Sequence, residues 1–333
     1  MNTKSADPLA VPPVIAEVVR SGFVEGSHTG TVVGLAADGA VALSIGDPAA
    51  PVFPRSCNKP LQAVGMLRAG IDVDDRQLAL IAASHSGLDE HVAIARSILT
   101  SVGLDERALA NTPGLPVDEQ ASRALLAKGG EPDRLHQNCS GKHAGMLAAC
   151  VAAGWPLSGY LDPDHPLQCV LRATVEELAG EEVEAVGVDG CGAPLFAVSL
   201  LGVARAFIAL VQAAEGSSAL RAALVTPSER VAVAMRAYPD VVGGPDRVVT
   251  RLMDGVPGLL SKDGAEGAFV AALPDGRAAA VKVADGASRA AGPVLVAALR
   301  ALGVEASVLT DLATSPVYGG GRVVGEVRAV PLT

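Results

Sequence analysis

Hydrophobic and polar positions alternate through Thr29-Val33 and again through Ala40-Ile45, with a turn at Asp38-Gly39, so Val14 to Asp47 reads as a β-meander. The period then changes. Leu61 to Leu67 is apolar at helical spacing, and Pro60 fixes the phase of that helix, because proline is tolerated in a first turn and not in an interior. Ser56 therefore lies at or next to the helix N-terminus. Arg76 to Ser84, Glu90 to Val102 and Asp118 to Lys128 continue the helical period, with Gly87, Gly103 and Gly129 as stops. Ala144 to Leu161 carries no charge but is broken by Gly154, Pro156 and Gly159, which predicts a buried helix and a turn rather than a membrane span.

Val183 to Val188 reads as a short strand running into Asp189-Gly190-Cys191-Gly192, and helices are expected from Leu195 to Ala214. Gly267 to Leu273 and Arg277 to Val283, joined by Pro274-Asp275-Gly276, predict a hairpin. A helix over Arg289 to Leu302 and a strand over Val323 to Val330 close the pattern. Strands at both ends with helices between imply an α/β (α+β) architecture in which N- and C-terminal strands share one sheet and a helical lobe is inserted. Residues 1–12 read as a tail and 13–333 as one domain.

Composition narrows the function classes. With 333 residues and 50% hydrophobic content, the chain can bury a large core. A net charge of −10 and the lack of any Lys/Arg block exclude a phosphate-neutralising surface, so no nucleic acid is expected as a partner. The first twelve residues lack the basic head and apolar run of a signal peptide, and the expected compartment is the cytoplasm, with no membrane partner. Cys57, Cys139, Cys150, Cys169 and Cys191 are an odd set, expected to be reduced thiols, metal ligands or core residues rather than a disulfide framework.

Only six of the 26 basic residues are lysine: Lys4, Lys59, Lys128, Lys142, Lys262 and Lys282. A chain that otherwise uses arginine keeps lysine where an amine must lose its proton, since a guanidinium cannot act as a base. Ser56 and Lys59 stand one turn apart at a helix start, the arrangement of an activated serine, and Lys262 would supply a second cation that disfavours charge on a neighbouring amine. Cys139 stands just before a helix whose first turn holds Lys142 and His143, and Cys191 sits in a glycine-flanked loop; together the two thiols would make a soft pair for zinc. Cys57, Cys150 and Cys169 have no polar companions that suggest ligation.

Phe53-Pro54-Arg55-Ser56-x-x-Lys59-Pro60, Ala83-Ser84-His85-Ser86-Gly87, Asn138-Cys139-Ser140-Gly141-Lys142-His143, Val188-Asp189-Gly190-Cys191-Gly192 and Ser261-Lys262-x-Gly264-Ala265-Glu266-Gly267 occur in this order. In this the chain resembles the rhizobial-type asparaginase II family over residues 13 to 330. The resemblance implies hydrolysis of L-asparagine to L-aspartate and ammonia, a fold like serine β-lactamases and penicillin-binding proteins, and a homodimer. It implies two Ser-Lys tandems, Ser56 with Lys59 and Ser84 with Lys262, Ser86 being the alternative to Ser84. It also implies a zinc ion held by Cys139, Lys142 and Cys191 that modulates substrate affinity. Arg55, His143 and Asp189 fall at its substrate-binding positions.

The expected mechanism has Ser56 attacking the side-chain amide, with Lys59 taking its proton, while Ser84 and Lys262 pass protons to the leaving ammonia. Two rivals stand beside it. One is an acyl-serine hydrolase for β-lactams or peptides, against which the chain lacks a plain Lys-Thr-Gly. The other is a non-catalytic zinc-binding protein.

Overall fold

The computed structural model describes residues 11–217 and 219–332. Of the expected tail and its Lys4, residues 1–10 lie outside that range. The chain opens with β1 (Val14–Arg20), β2 (Phe23–Leu35) and β3 (Val41–Ile45), followed by β4 (Pro51–Val52), β5 (Ala185–Val188) and β6 (Pro194–Ser199). It returns to strand with β7 (Leu260–Gly264), β8 (Ala268–Ala272), β9 (Ala278–Val283), β10 (Thr314–Gly319) and β11 (Arg322–Ala329).

The first and last strands are neighbours. The main sheet runs β10-β11-β1-β2-β9-β8-β7, with β3 also on β2, and a small sheet runs β4-β6-β5. Pairing is antiparallel, with Ala16 opposite Ala329 and Gly30 opposite Val283. The terminal strands thus share one sheet, as the sequence pattern implies.

Helices fill the interval. They are α1 (Lys59–Arg68), α2 (Asp75–Ile81), α3 (Asp89–Ser101), α4 (Glu119–Ala127), α5 (Ser140–Ala153), α6 (Pro166–Ala179), α7 (Leu200–Ala214), α8 (Ala222–Ala237), α9 (Pro239–Val242), α10 (Val248–Gly255), α11 (Ser288–Ala301) and α12 (Val308–Asp311). Both faces of the sheet are covered. Gly34 on β2 approaches Leu302 just after α11, whereas the next residue, Leu35, which must point the other way, lines a hollow with Arg205, Ile208 and Gln212 of α7. Alanines in β8 and β9 (Ala271, Ala272, Ala278, Ala279, Ala280) are fully buried, and their small side chains let both helices lie close. The result is a mixed α/β architecture with one contiguous apolar core. Among the described residues no helix is long and apolar enough to cross a membrane.

Two expected elements differ. Leu195 to Ser199 is strand rather than helix: β6 pairs with β5, Ala185 opposite Ala197, and α7 starts only where the Ser199 hydroxyl accepts the Gly202 N–H at 2.9 Å. A five-residue apolar run fits either period, and pairing decides it. The helix expected to reach Ser84 ends at Ile81, because the Ser84 N–H is drawn to the Val242 carbonyl at 3.1 Å.

α5 is the axis of the helical lobe, with every residue from Ser140 to Cys150 buried. Gly141 and Gly145, one turn apart, give it close passage across α2. A Cβ at Gly141 would fall against the Leu80 carbonyl, and one at Gly145 would lie 2.8 Å from Ile81 Cγ1. That approach brings the end of α2, and so Ser84, beside the start of α5. Gly141→Ala is expected to destabilise the fold by about 1–3 kcal/mol, since the crowding partner is backbone and cannot rotate away. Urea unfolding checks this; an unchanged midpoint would mean that the two helices do not need the close passage.

Candidate active site

The segment carrying Ser56 is held from two sides. Arg55 adopts φ +53°, a left-handed conformation costly for a residue with a Cβ, and a 3-10 turn over Arg55–Asn58 then feeds α1, with Pro60 in its first turn. Asn58 Nδ2 donates to Phe196 O at 3.0 Å, and the Cys57 thiol donates to Lys262 O at 3.3 Å. Gly264 allows β7 to come this close, because a Cβ there would lie 2.6 Å from Pro54 O. The Ser56 turn and Lys262 are thereby pressed together.

Residues 84–87 are fastened as firmly. Beyond the Ser84 N–H bond, Arg247 Nη1 donates to Ser84 O at 2.9 Å and Ser86 Oγ donates to Gly243 O at 2.8 Å. His85 Nδ1 accepts the Gly87 N–H at 3.1 Å, so the proton sits on Nε2, which donates to Ser140 Oγ at 2.9 Å. The tautomer ties this loop to the first residue of α5.

Both amines converge on Ser84. Its Oγ is 3.1 Å from Lys59 Nζ and 2.9 Å from Lys262 Nζ. Lys59 Nζ also donates to Ala83 O at 2.6 Å and Asn138 O at 3.3 Å. Lys262 Nζ donates to Asp263 O and Asp263 Oδ1, both at 2.7 Å. Ser56 hydrogen-bonds neither lysine among the described residues, and Ser86, tied to Gly243, meets neither. The four groups are almost out of water: Ser56 is 8% exposed, Ser84 4%, Lys59 1% and Lys262 0%.

Burial pulls the Lys262 amine below its usual range, with Lys59 adding to that effect and Asp263 opposing it. Burial also disfavours charge on Asp263, but Lys262 and Arg247 outweigh it and hold this carboxyl well below the usual range. Arg247 Nη2 completes the chain with an ion pair to Asp263 Oδ2. Sequence reasoning missed Asp263 as the acidic partner of Lys262, and Arg247 behind it. Asp263 is the unnamed position x directly after Lys262 in its motif; Arg247 carried no signal, lying at the end of the turn over residues 243–247.

A second cluster adjoins the first. Ligand atoms of Cys139, Asp189 and Cys191 all lie within 4.8 Å of one another, and Lys142 Nζ is 3.2 Å from Cys191 Sγ. A hydrogen bond shared by the two thiols pushes Cys139 well below the usual thiol range and Cys191 up. Burial works against charge on Lys142, yet Cys191, Cys139 and Asp189 outweigh it and hold the amine above its usual range. Two soft sulfurs and one carboxylate on a buried wall fit a metal ion such as zinc. Lys142 fits less readily as a ligand, because its proton is held where a metal would need a lone pair.

Asp189 also faces the other way, accepting from Arg55 Nε at 2.9 Å and Nη2 at 2.8 Å; Glu266 Oε1 lies 3.7 Å from Arg55 Nη1. Lys282, on β9, donates to Glu266 O at 2.6 Å and Val283 O at 2.8 Å, so it braces the turn that presents Glu266. Arg55, Glu266 and Lys282 line a cavity of about 460 Å³ whose apolar wall includes Phe53, Val188 and Leu195. His143 is fully buried, its Nδ1 2.8 Å from the Tyr160 hydroxyl and its Nε2 without a partner among the described residues. Burial holds it neutral.

The family model for L-asparaginase II matches residues 16–329. The chain belongs to the L-asparaginase II family. Arg55, Ser56, Lys59, Ser84, Lys142, Asp189, Cys191 and Lys262 all fall inside the span matched to L-asparaginase II. No curated protein matches the chain. Solved structures do at low similarity, among them "Crystal Structure Analysis of Mglu in its tris and glutamate form" (14% identity, TM-score 0.43, covering 87% of this chain and 62% of that one) and "Crystal Structure Analysis of Mglu" (14%, TM-score 0.40, 82% and 66%). The chain spans less than two thirds of the length of either.

The buried His85 has a consequence for stability. Burial first, and His91 and Lys59 next, hold its imidazole well below the usual 6.5, so the folded chain refuses a proton that the unfolded chain accepts. Stability contributed by the neutral ring is complete above 6.5 and declines as pH falls below it, by about 1.4 kcal/mol per pH unit. His85→Gln, which keeps a donor for Ser140, should flatten the fall of unfolding free energy between about pH 6.5 and about pH 5 by that slope. An unaltered slope in urea titrations would place the proton uptake elsewhere.

Proposed function

We propose that the chain hydrolyses L-asparagine to L-aspartate and ammonia through an acyl-enzyme on Ser56. The observation that carries this reading is the Ser84 hydroxyl held between Lys59 and Lys262 amines, one helical segment from Ser56. A hydroxyl oxygen that accepts from two nitrogens still has its own proton to give. Ser84 is thus a relay: it donates to the leaving nitrogen and is resupplied from Lys262. Ser56 attacks the side-chain amide carbon, Lys59 takes its proton, ammonia departs, and water then releases aspartate from the ester. The depressed proton affinity of Lys262 supports its part, since a proton carrier must exist in both forms near working pH.

Backbone N–H groups of the Ser56 turn are the oxyanion donors in this scheme. Arg55 receives the α-carboxylate once it leaves Asp189, and its left-handed backbone is the strain expected of a residue held for function. His143 acts on substrate only through Tyr160 and α5, since it reaches no surface.

Cys139, Cys191 and Asp189 would hold a zinc ion, with Lys142 joining after losing its proton. The ion would supply a fixed positive charge beside the loop that carries Asp189. The antiparallel sheet joining both termini, together with Ser-x-x-Lys at a helix start, supports a fold of the serine β-lactamase and penicillin-binding-protein type. A single catalytic unit over residues 13–333, a homodimer and a cytoplasmic setting complete the proposal; exposed Phe23, Val24, Tyr318 and Val323 near Arg20 offer apolar surface for a second copy.

Quenching the enzyme during turnover of L-asparagine and mapping the adduct by mass spectrometry tests the scheme. An aspartyl group on the Ser56 peptide is expected, and Ser56→Ala should lower kcat by roughly a thousandfold or more with unfolding unchanged. An adduct on Ser84 would reverse the roles of the serines, and one on neither would end the covalent mechanism. Zinc content, measured with a chromogenic chelator, should fall in Cys191→Ala and stay unchanged in Ser56→Ala; equal content in both would remove the metal from this site.

A further inference from the structure

Arg247 lies 163 positions from Ser84 in sequence, yet it touches Ser84 directly and reaches Lys262 through the Asp263 carboxylate. Nη1 donates to Ser84 O at 2.9 Å, and Nη2 pairs with Asp263 Oδ2, while the other oxygen of that carboxylate accepts from Lys262 Nζ at 2.7 Å. We propose that Arg247 is a positioning residue for the Ser84–Lys262 pair, fixing the Ser84 main chain with one guanidinium nitrogen and dividing the Asp263 carboxylate between itself and Lys262 with another. The inference rests on Lys262 acting as a proton carrier.

The geometry is costly to assemble, which marks it as built for a purpose. Asp246, just before Arg247, adopts φ +61°, and Gly244 at φ +125° has no room for a Cβ, which would collide with the Ser86 side chain. Thr250 Oγ1 fixes the same turn by donating to Gly244 O at 2.7 Å. Arg247 and Asp263 also line a cavity of about 320 Å³ with Phe269, Ser288 and Ser315, so the clamp meets solvent on the side away from the buried serines.

Division of the carboxylate has an electrostatic consequence. The groups facing Lys262 are Lys59 from α1, Cys57 from the 3-10 turn, Asp263 on its own strand and Arg247 behind Asp263. Burial pushes the Cys57 thiol up to about 12, which leaves it neutral, so Asp263 is the one anion in this group. A carboxylate given wholly to Lys262 would hold its ammonium form strongly. Sharing with a guanidinium weakens that hold, and the amine can release its proton nearer neutrality.

The pH profile of kcat for asparagine hydrolysis tests this, on variants whose unfolding midpoints are recorded alongside. The limb on which activity falls as pH rises, where Lys262 loses the proton it must supply, should move up by about half to one unit in Arg247→Gln, where Asp263 is left to Lys262 alone, and down in Asp263→Asn, where the anion is gone. A lower kcat in R247Q with the limb in place would reduce Arg247 to a structural strut and overturn the proposal. Should R247Q fail to fold, Arg247→Lys serves: a single amine cannot hold both Ser84 O and Asp263, so a smaller upward shift is expected, and a limb at the wild-type position overturns the idea. Lys262→Met separates the layers. Full turnover in K262M would overturn the proton-carrier reading and this inference with it, whereas loss of turnover in K262M beside an unmoved R247Q limb would overturn the inference alone.

Discussion

Two amines bonded to one buried hydroxyl are the constraint around which the molecule is arranged. Nitrogens that share the Ser84 oxygen stand roughly 6 Å apart at most, and two full charges at that separation repel by about 3 kcal/mol at an effective dielectric near 20. Water cannot relieve this, since both side chains are buried. The fold relieves it with acceptors drawn from separate segments: the Ala83 carbonyl after α2, the Asn138 carbonyl before α5, and the Asp263 carbonyl and carboxylate on β7. Sheet and helical lobe must both be in place for the cluster to exist. The glycines at 141, 145 and 264 are the points where backbone comes close enough to allow it.

The thiol cluster is joined to this one through a single residue. The Asn138 carbonyl accepts from Lys59, while its side-chain oxygen lies 3.3 Å from Cys139 Sγ and accepts from Gln137 Nε2 at 3.0 Å. The Gln137 side chain in turn accepts the Cys139 N–H at 2.9 Å and an Asn111 N–H at 3.1 Å. A change in charge at Cys139 is therefore felt at the carbonyl that holds Lys59, without any moving part. On the other flank Asp189 ties the thiols to Arg55, one residue before Ser56. The two clusters are one electrostatic unit seen from two ends.

How far this was legible in the sequence follows from the range of each interaction. Ser56 at a helix start could be derived, because Pro60 and the apolar spacing that follows it are local signals. The terminal strands sharing a sheet also followed from element order. The run Leu195–Ser199 could not be read, since its apolar pattern suits helix and strand alike and only pairing with β5 resolves it. Ser84 with Lys262 came from family resemblance rather than from spacing, for nothing along the chain tells a serine at the end of α2 that a strand 178 positions later will reach it. Arg247 left no trace for the same reason. A turn of glycine, proline and aspartate looks like any surface turn until the carbonyl it serves is known.

The scarcity of lysine acquires a physical meaning here, though a divided one. Lys59, Lys142 and Lys262 are among the largest fully buried side chains of the chain, and each ends among backbone or sulfur acceptors in a space suited to one compact nitrogen. A guanidinium with its five spread donors would leave several of them unpaired there. Their surroundings then separate them. Lys142 faces Cys139, Cys191 and Asp189, and that surplus of negative charge keeps its proton in place against burial. Lys262 faces a single carboxylate, already half claimed by Arg247, with Lys59 pushing from the other side, and burial prevails. One residue type thus meets a surplus of anions in one cluster and a single shared carboxylate in the other, and the number of anions that the neighbouring loops supply sets the opposite directions in which the two amines are pushed.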